Sequence, residues 1–328
     1  MKNFFSIATV VDYVDIHTFY EKFLENTEKE REVDWDDLPL KTEIKNISEI
    51  REIKIKNKNI NYFTFDISTE RKKTVWFNLK NGEFLPREAR VTKIETAGIV
   101  FEESNTIKII FLCGVENINK FKVDIFNSYT NLDIRKYFTE DMLFWLFWSF
   151  DQNKDNSLNE EEEFYINDLT TYTGVSQDNK NEIKVDGEKT SVLLATLGSI
   201  FSSRKFKLLT VELDYLDENI AIEIRETGTY KINPTICGGE CERFGNRFER
   251  IIYLLTFCEI YIFPKLKESY KLAIEKNKWN ELIQLSFTEE LGVKIIALVE
   301  EGLKEVRKQL LEKNEENKQR LFHENIVK

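Results

Sequence analysis

Between residues 144 and 150 the chain reads Phe144-Trp145-Leu146-Phe147-Trp148-Ser149-Phe150, with one hydroxyl for all its polarity. A helix through this run has no polar face to offer water, so other elements must wrap it nearly all round. That requirement calls for a large core. The chain can supply one, since 41% of its 328 residues are apolar and it carries 25 Phe, 12 Tyr and 5 Trp. Such a composition excludes a disordered chain, and at about 100–200 residues per domain the length corresponds to roughly two domains. With 12 Gly and 4 Pro, architectures built on many tight turns, collagen-like or propeller-like, are disfavoured.

The aromatic run closes a strand-rich half. Met1 to Val11 is apolar but Asp12 and Asp15 follow at once with no small-residue cleavage site, so it reads as a first strand rather than a signal peptide. Ile16 to Glu30 has helical spacing. Ile60 to Ile67 and Thr74 to Leu79 read as a hairpin across the polar connection Ser68 to Lys73. Ile99 and Phe101, then Ile107, Ile109 and Phe111, form a second hairpin around Glu102 to Asn105, with both flanks expected on one buried face.

Residues 151–189 read as an acidic seam, where Asp151, Asp155 and Glu160 to Glu163 stand against Lys154. Beyond it, Ser191 to Phe201 reads as a helix. Lys205 to Ile232 is a hairpin with Leu209, Val211, Leu213 and Tyr215 facing Ile220, Ile222 and Ile224 across an Asp217-Glu218-Asn219 turn. A helix is expected from about Glu240 to Phe263, interrupted at Pro264. Ser286-Phe287-Thr288-Glu289 has the form of a capping box opening a last long helix, on which Leu303, Val306, Leu310 and Leu311 make an apolar stripe suited to self-association, partner docking or packing on its own domain. The expected class is α+β: a strand-rich domain over 1–150, a linker over 151–189, and a hairpin-plus-helices domain over 190–328.

A net charge of −11 argues against a chain-wide grip on nucleic-acid phosphate and leaves only a local basic patch for it. Cys113, Cys237, Cys241 and Cys258 lack CxxC spacing and are too sparse for a disulfide framework, which fits reduced thiols in a cytosol. The most apolar later stretches, Met142 to Phe150 and Ile251 to Phe263, fall short of the roughly 20 residues that span a bilayer, so no membrane partner is expected. Abundant Lys, Asn and Ile point to an A+T-rich, bacterial genome. His17 and His323 are the only histidines, which leaves little material for histidine relays or triads.

Three segments could carry chemistry. Asp151, Asn153, Asp155, Ser157 and Glu162 fall at alternate loop positions closed by a glutamate, preceded by Phe147 to Phe150 and carrying Leu158 at the apolar eighth position. The stretch Thr139 to Phe164 resembles the EF-hand calcium loop, which implies Ca²⁺ held by converging oxygens. The same acids would also serve as a solvated linker after a buried helix. Gly238 and Gly239 precede Arg243, Arg247 and Arg250, whose spacing of four and three places them on one side of a helix. Free N–H groups and guanidinium forks there would suit a phosphate, unless Glu240, Glu242 and Glu249 neutralise the arginines. Glu212, Asp214, Glu223 and Arg225 lie on the outer face of the hairpin. Asp214 with Glu223-Ile224-Arg225 loosely resembles the Asp…Glu-x-Lys arrangement of a metal-dependent nuclease superfamily; with Arg225 unable to shed a proton, no cleavage is expected from it.

With motif-borne chemistry this sparse, no catalytic residue is expected and the leading expectation is a non-catalytic intracellular binding or regulatory protein of a multi-protein system, with a protein partner or homo-oligomer and no cofactor. A phosphate- or nucleic-acid-acting protein, such as a defence-type one using the arginine stripe, and a calcium-responsive module are the alternatives.

Overall fold

The computed structural model describes residues 4–326 except 37, 79, 81, 153–156, 159–162, 177–179, 188–193 and 203–204, with side chains as far as residue 315. The class is α+β. Antiparallel strands β1 (Ser6–Val10), β2 (Glu28–Arg31), β3 (Leu40–Lys45), β4 (Arg51–Ile55), β5 (Lys58–Lys72), β6 (Val91–Glu103), β7 (Thr106–Phe111) and β8 (Leu132–Ile134) form one sheet in the order β2-β3-β5-β6-β7-β1-β8, with β4 also on β5. Helices α1 (Ile16–Glu25), α2 (Arg87–Arg90) and α3 (Val115–Asp124) interrupt it. Asp15 caps α1, its carboxylate accepting from Thr18 N at 2.7 Å.

β5 overturns the first expected hairpin. Ser68 to Lys72 continue the strand instead of turning it, because Thr69 is paired on both sides, with Thr42 of β3 and Ile94 of β6, and is 1% exposed. The second hairpin is present, but its flanks do not share a face. A two-residue turn at Ser104 and Asn105, both at positive φ, sets Ile99 opposite Ile110 and Val100 opposite Ile109. Opposite residues share a face, so Ile99, Phe101 and Ile110 enter one core while Val100, Ile107, Ile109 and Phe111 enter another. The second core lies under α1 and α3, with Phe19, Phe23, Ile118 and Phe121 fully buried. Both faces of the central strands are covered.

The other sheet has the order β10-β9-β11-β12-β13, from β9 (Phe164–Val175), β10 (Glu182–Asp186), β11 (Lys205–Tyr215), β12 (Glu218–Arg225) and β13 (Tyr230–Ile232). Two of these strands come from the expected acidic linker. Residues 164–175 alternate apolar and polar well enough to form an inner strand between β10 and β11, and that burial outweighs the acidic composition around them. Phe5 and Tyr230 exchange backbone hydrogen bonds of 2.7 and 3.1 Å and so tie the sheets together. A single core runs from Ile53, Ile60 and Phe101 of the first sheet to Leu209, Ile222 and the C-terminal helices, crossing the domain boundary expected near residue 150.

Helix α4 (Glu140–Gln152) carries the aromatic run, with Met142, Leu143, Trp145, Leu146, Phe147 and Phe150 buried, as its lack of a polar face demands. It packs on β9 and β11. α5 (Leu194–Phe201) lies against the long C-terminal helix. The helix expected from Glu240 is broken: a short 3₁₀ turn spans Glu240–Arg243, and α6 (Arg247–Phe257) starts afresh with Asn246 accepting from Phe248 N at 2.8 Å. Pro264 does not end it. One π-helical turn, Cys258–Ile262, widens the spiral ahead of the proline, and α7 (Phe263–Glu275) continues with Pro264 in its first turn, where a missing N–H costs least. α8 (Glu281–Ile326) opens earlier than the expected capping box: Asn280 Oδ1 accepts from Leu282 N and Ile283 N at 3.0 and 3.1 Å, and Ser286 lies within the helix. Among the described residues no helix is long and apolar enough to cross a membrane.

Candidate functional site

The β11–β12 hairpin turns two residues before the expected Asp217-Glu218-Asn219 segment ends. Leu216 and Asp217 make the turn, both at positive φ, and Tyr215 faces Glu218. This small difference decides the chemistry. Glu218 becomes the first residue of β12, on the same face as Ile220, Ile222 and Ile224, and its side chain is 0% exposed. A carboxylate there needs compensation from groups delivered by other segments.

Three segments deliver it. Glu218 Oε1 accepts from Tyr253 Oη of α6 at 2.6 Å and from Glu240 N at 3.0 Å, and Lys56 Nζ lies 2.9 Å away. Lys56 belongs to the tight β4–β5 turn of the first sheet, where its φ is 53°; it also stands 3.5 Å from Glu240 Oε1. Burial, and then the adjacent Glu218, raise the Tyr253 phenol, which keeps its proton for donation. Among the described residues Glu218 Oε2 has no hydrogen-bond partner.

Gly239 makes the approach feasible. Its φ is +103°, and a Cβ there would lie 2.5 Å from Asp217 O and 2.7 Å from Glu218 Oε2, so only glycine fits. Two of the backbone donors at this turn are spent inside the chain: Gly238 N donates to Asn219 O at 2.9 Å and Glu240 N donates to Glu218. The anion at the Gly238-Gly239 turn is the chain's own carboxylate. The arginines do not share one helix face either, because the break at 244–246 separates Arg243 from Arg247 and Arg250. Arg243 donates to Lys54 O at 2.5 Å and stands 3.6 Å from Glu240; Arg250 donates to Cys237 O at 2.6 Å, and Arg247 is exposed.

In front of this knot opens a cavity of about 750 Å³ lined by Glu163, Tyr165, Asp214, Tyr215, Asp217 and Glu218, with Leu216, Asn219, Gly238 and Gly239 completing it. Its size is that of a small-ligand site. Asp214 Oδ1 accepts from Asn219 Nδ2 at 2.7 Å. Glu163, Asp214 and Asp217 have no ion-pair partner among the described residues. Carboxylates beside tyrosine rings suit an ammonium or guanidinium group through charge-assisted hydrogen bonds and ring contact; the same wall repels phosphate.

The remaining hairpin residues separate into two groups. Glu223 lies 3.8 Å from both Arg225 and Lys231, and the Arg225 guanidinium sits 3.4 Å from the Phe4 ring centroid. Glu212 faces Asp168 of β9, and burial, then Asp168 and Asp214, push its carboxyl above the usual range. Of the calcium-loop residues, Asn153, Asp155 and Glu162 lie outside the described residues. Asp151 lies in the last turn of α4 with its carboxylate 2.6 Å from Lys294 of α8, and Ser157 exchanges hydrogen bonds of 2.9 and 3.0 Å with Phe164. Among the described residues no group of three or more His, Cys, Asp or Glu side chains is placed to hold a metal ion.

No family model and no curated protein matches the chain.

Three of the four thiols, Cys237, Cys241 and Cys258, are buried, and Cys113 is partly so. Cys237 is pushed up to about 12 by burial and Cys113 to about 11, and burial holds Cys258 well above the ordinary thiol range, so these cysteines stay protonated at neutral pH. Glu259 is a second buried carboxyl, at 0% exposure in the π-helical turn. Tyr230 Oη donates to its Oε1 at 3.0 Å. Burial raises Glu259 to about 7 despite partial relief from Lys108, Tyr230 and Tyr137.

Sequence reading took Glu218 for a turn residue and passed over Lys56 and Glu259. One signal for Glu218 was within reach: if Leu213 faces Ile220, the pairing leaves only residues 216 and 217 for the turn and places Glu218 on the apolar face. Lys56 is distant in sequence, and nothing local marks it.

Proposed function

We propose that this chain is a non-catalytic binding protein that works with a protein partner and receives a cationic side chain of that partner in the cavity before the β11–β12 turn. The observation that carries this reading is the 750 Å³ cavity, where Glu163, Asp214 and Asp217 stand beside Tyr165 and Tyr215 with no cation of the chain paired to them among the described residues. The knot behind them is rigid, because Glu218 is held from three segments, and a rigid acidic wall loses little entropy on binding. Protonated, buried thiols favour the binding reading over thiol catalysis.

The test is a titration of the full chain with a short lysine-rich peptide at low salt, repeated with Asp214→Asn plus Asp217→Asn. The reading predicts binding that weakens at least about tenfold in the double variant and fades with added salt. Equal binding by both proteins, or a preference for single-stranded DNA or inorganic phosphate over the peptide, overturns it.

A further inference from the structure

The C-terminal helix changes character part-way along. Up to residue 295 it belongs to the body: Phe287 and Leu291 are buried, Gly292 lies against the Phe201 ring of α5, and Ile295 packs on the core. From Ile296 to residue 315 every described side chain is exposed, yet the helix runs on without a break. At about 1.5 Å per residue, this stretch reaches roughly 30 Å beyond the last packed turn. In proteins most helical stability comes from packing an apolar face rather than from helix propensity.

The exposed stretch is not uniformly polar. Ile296, Val299, Leu303, Val306 and Leu310 are 61%, 43%, 50%, 51% and 62% exposed. They follow one another at steps of three, four, three and four, the a/d repeat by which helices pair in coiled coils. Counting from Ile296 as position a puts Val299 and Val306 at d, and Glu300 and Arg307 at e.

We infer that this seam pairs antiparallel with the same seam of a second copy of the chain. Charge selects both the partner and the direction. Setting Leu303 against Val306 and Val299 against Leu310 of the second copy is an a-to-d register about a twofold axis, and it brings Glu300 of each copy beside Arg307 of the other. Opposite charges therefore meet twice, by symmetry. In a parallel, in-register pair the flanking e and g positions bring Glu300 beside Ile295 and Arg307 beside Gly302, and no charges are matched. A twofold contact uses the seam of both copies and closes as a dimer. None of the seam residues lines the acidic cavity.

Sedimentation velocity of the full chain across a concentration series tests this. The expected result is a monomer–dimer equilibrium that Leu303→Asp with Val306→Asp abolishes while the circular dichroism of the body stays unchanged, since both side chains are exposed in the single chain. Glu300→Arg alone and Arg307→Glu alone should each raise the dimer dissociation constant about tenfold, and the two together should restore it. A monomer at every concentration, or a dimer indifferent to the seam substitutions, overturns self-pairing. A dimer that needs the seam but ignores the charge reversals overturns the antiparallel register.

Discussion

Glu218 and Glu259 sit in the same molecule at 1% and 0% exposure, and their surroundings are opposite. Glu218 lies at the end of a hairpin where three segments converge, and it receives a lysine, a phenol and a backbone N–H. Glu259 lies within a continuous helical stretch whose backbone donors are already spent, and what reaches it is phenolic, Tyr230 Oη at 3.0 Å with Tyr137 beside it. The first has an ammonium, a phenol and a backbone N–H against it, and the second is pushed towards its neutral form. The difference shows that a buried carboxylate finds polar partners where chain segments meet, since turns and strand ends still have polar groups to give.

Breaking the compensated site should have the largest effect. Glu218→Ala leaves the Lys56 ammonium, 13% exposed, without its closest partner and strands the Tyr253 hydroxyl. A loss of about 3–5 kcal/mol in urea unfolding is expected, with Glu218→Gln costing less because an acceptor remains. A loss below about 1 kcal/mol in the alanine variant would remove the contrast between the two glutamates.

The uncompensated site should announce itself through pH. Its folded value of about 7 lies above the ordinary 4.5, so the stability it contributes is present below 4.5 and is lost as pH rises through 7. The full span is on the order of 3 kcal/mol. Glu259→Gln should flatten that part of the stability–pH curve and raise stability at pH 8. A variant whose curve parallels the wild type would place the titration elsewhere.

Smaller changes sharpen the account of how the Gly238-Gly239 turn is held. Arg250 donates to Cys237 O at 2.6 Å just ahead of that turn, so Arg250→Ala should cost about 1.5–3 kcal/mol in the same unfolding measurement. Arg243→Ala with Arg247→Ala should be the mildest, about 1 kcal/mol or less, because both Arg243 contacts, the hydrogen bond to Lys54 O and the 3.6 Å pair with Glu240, lie in solvent, whereas the Arg250 bond is partly buried. A larger loss in the double variant than in Arg250→Ala would reverse the roles assigned to these arginines.

Much of the local structure was legible. The unbroken aromatic run required a wrapped helix, and α4 is one. The alternation of Leu209, Val211 and Leu213 with Ile220, Ile222 and Ile224 gave the face of the β11–β12 hairpin correctly. The candidate cavity was legible only in part, since Asp214, Gly238 and Gly239 were singled out for other chemistry while Glu163, Tyr165 and Glu218 were not.

What the amino-acid order determines by itself is periodicity: which residues repeat at two, which at three and four, and hence the α+β class and the apolar stripe along α8. Only tertiary structure decides pairing, and pairing decides chemistry. A two-residue turn at Ser104-Asn105 sends the apolar residues of one hairpin into two different cores, and the same kind of turn at Leu216-Asp217 carries Glu218 inward to meet Lys56. The physical reason is range. Periodicity follows from backbone geometry within a few residues, whereas the partner that makes a buried charge tolerable comes from a segment far away along the chain.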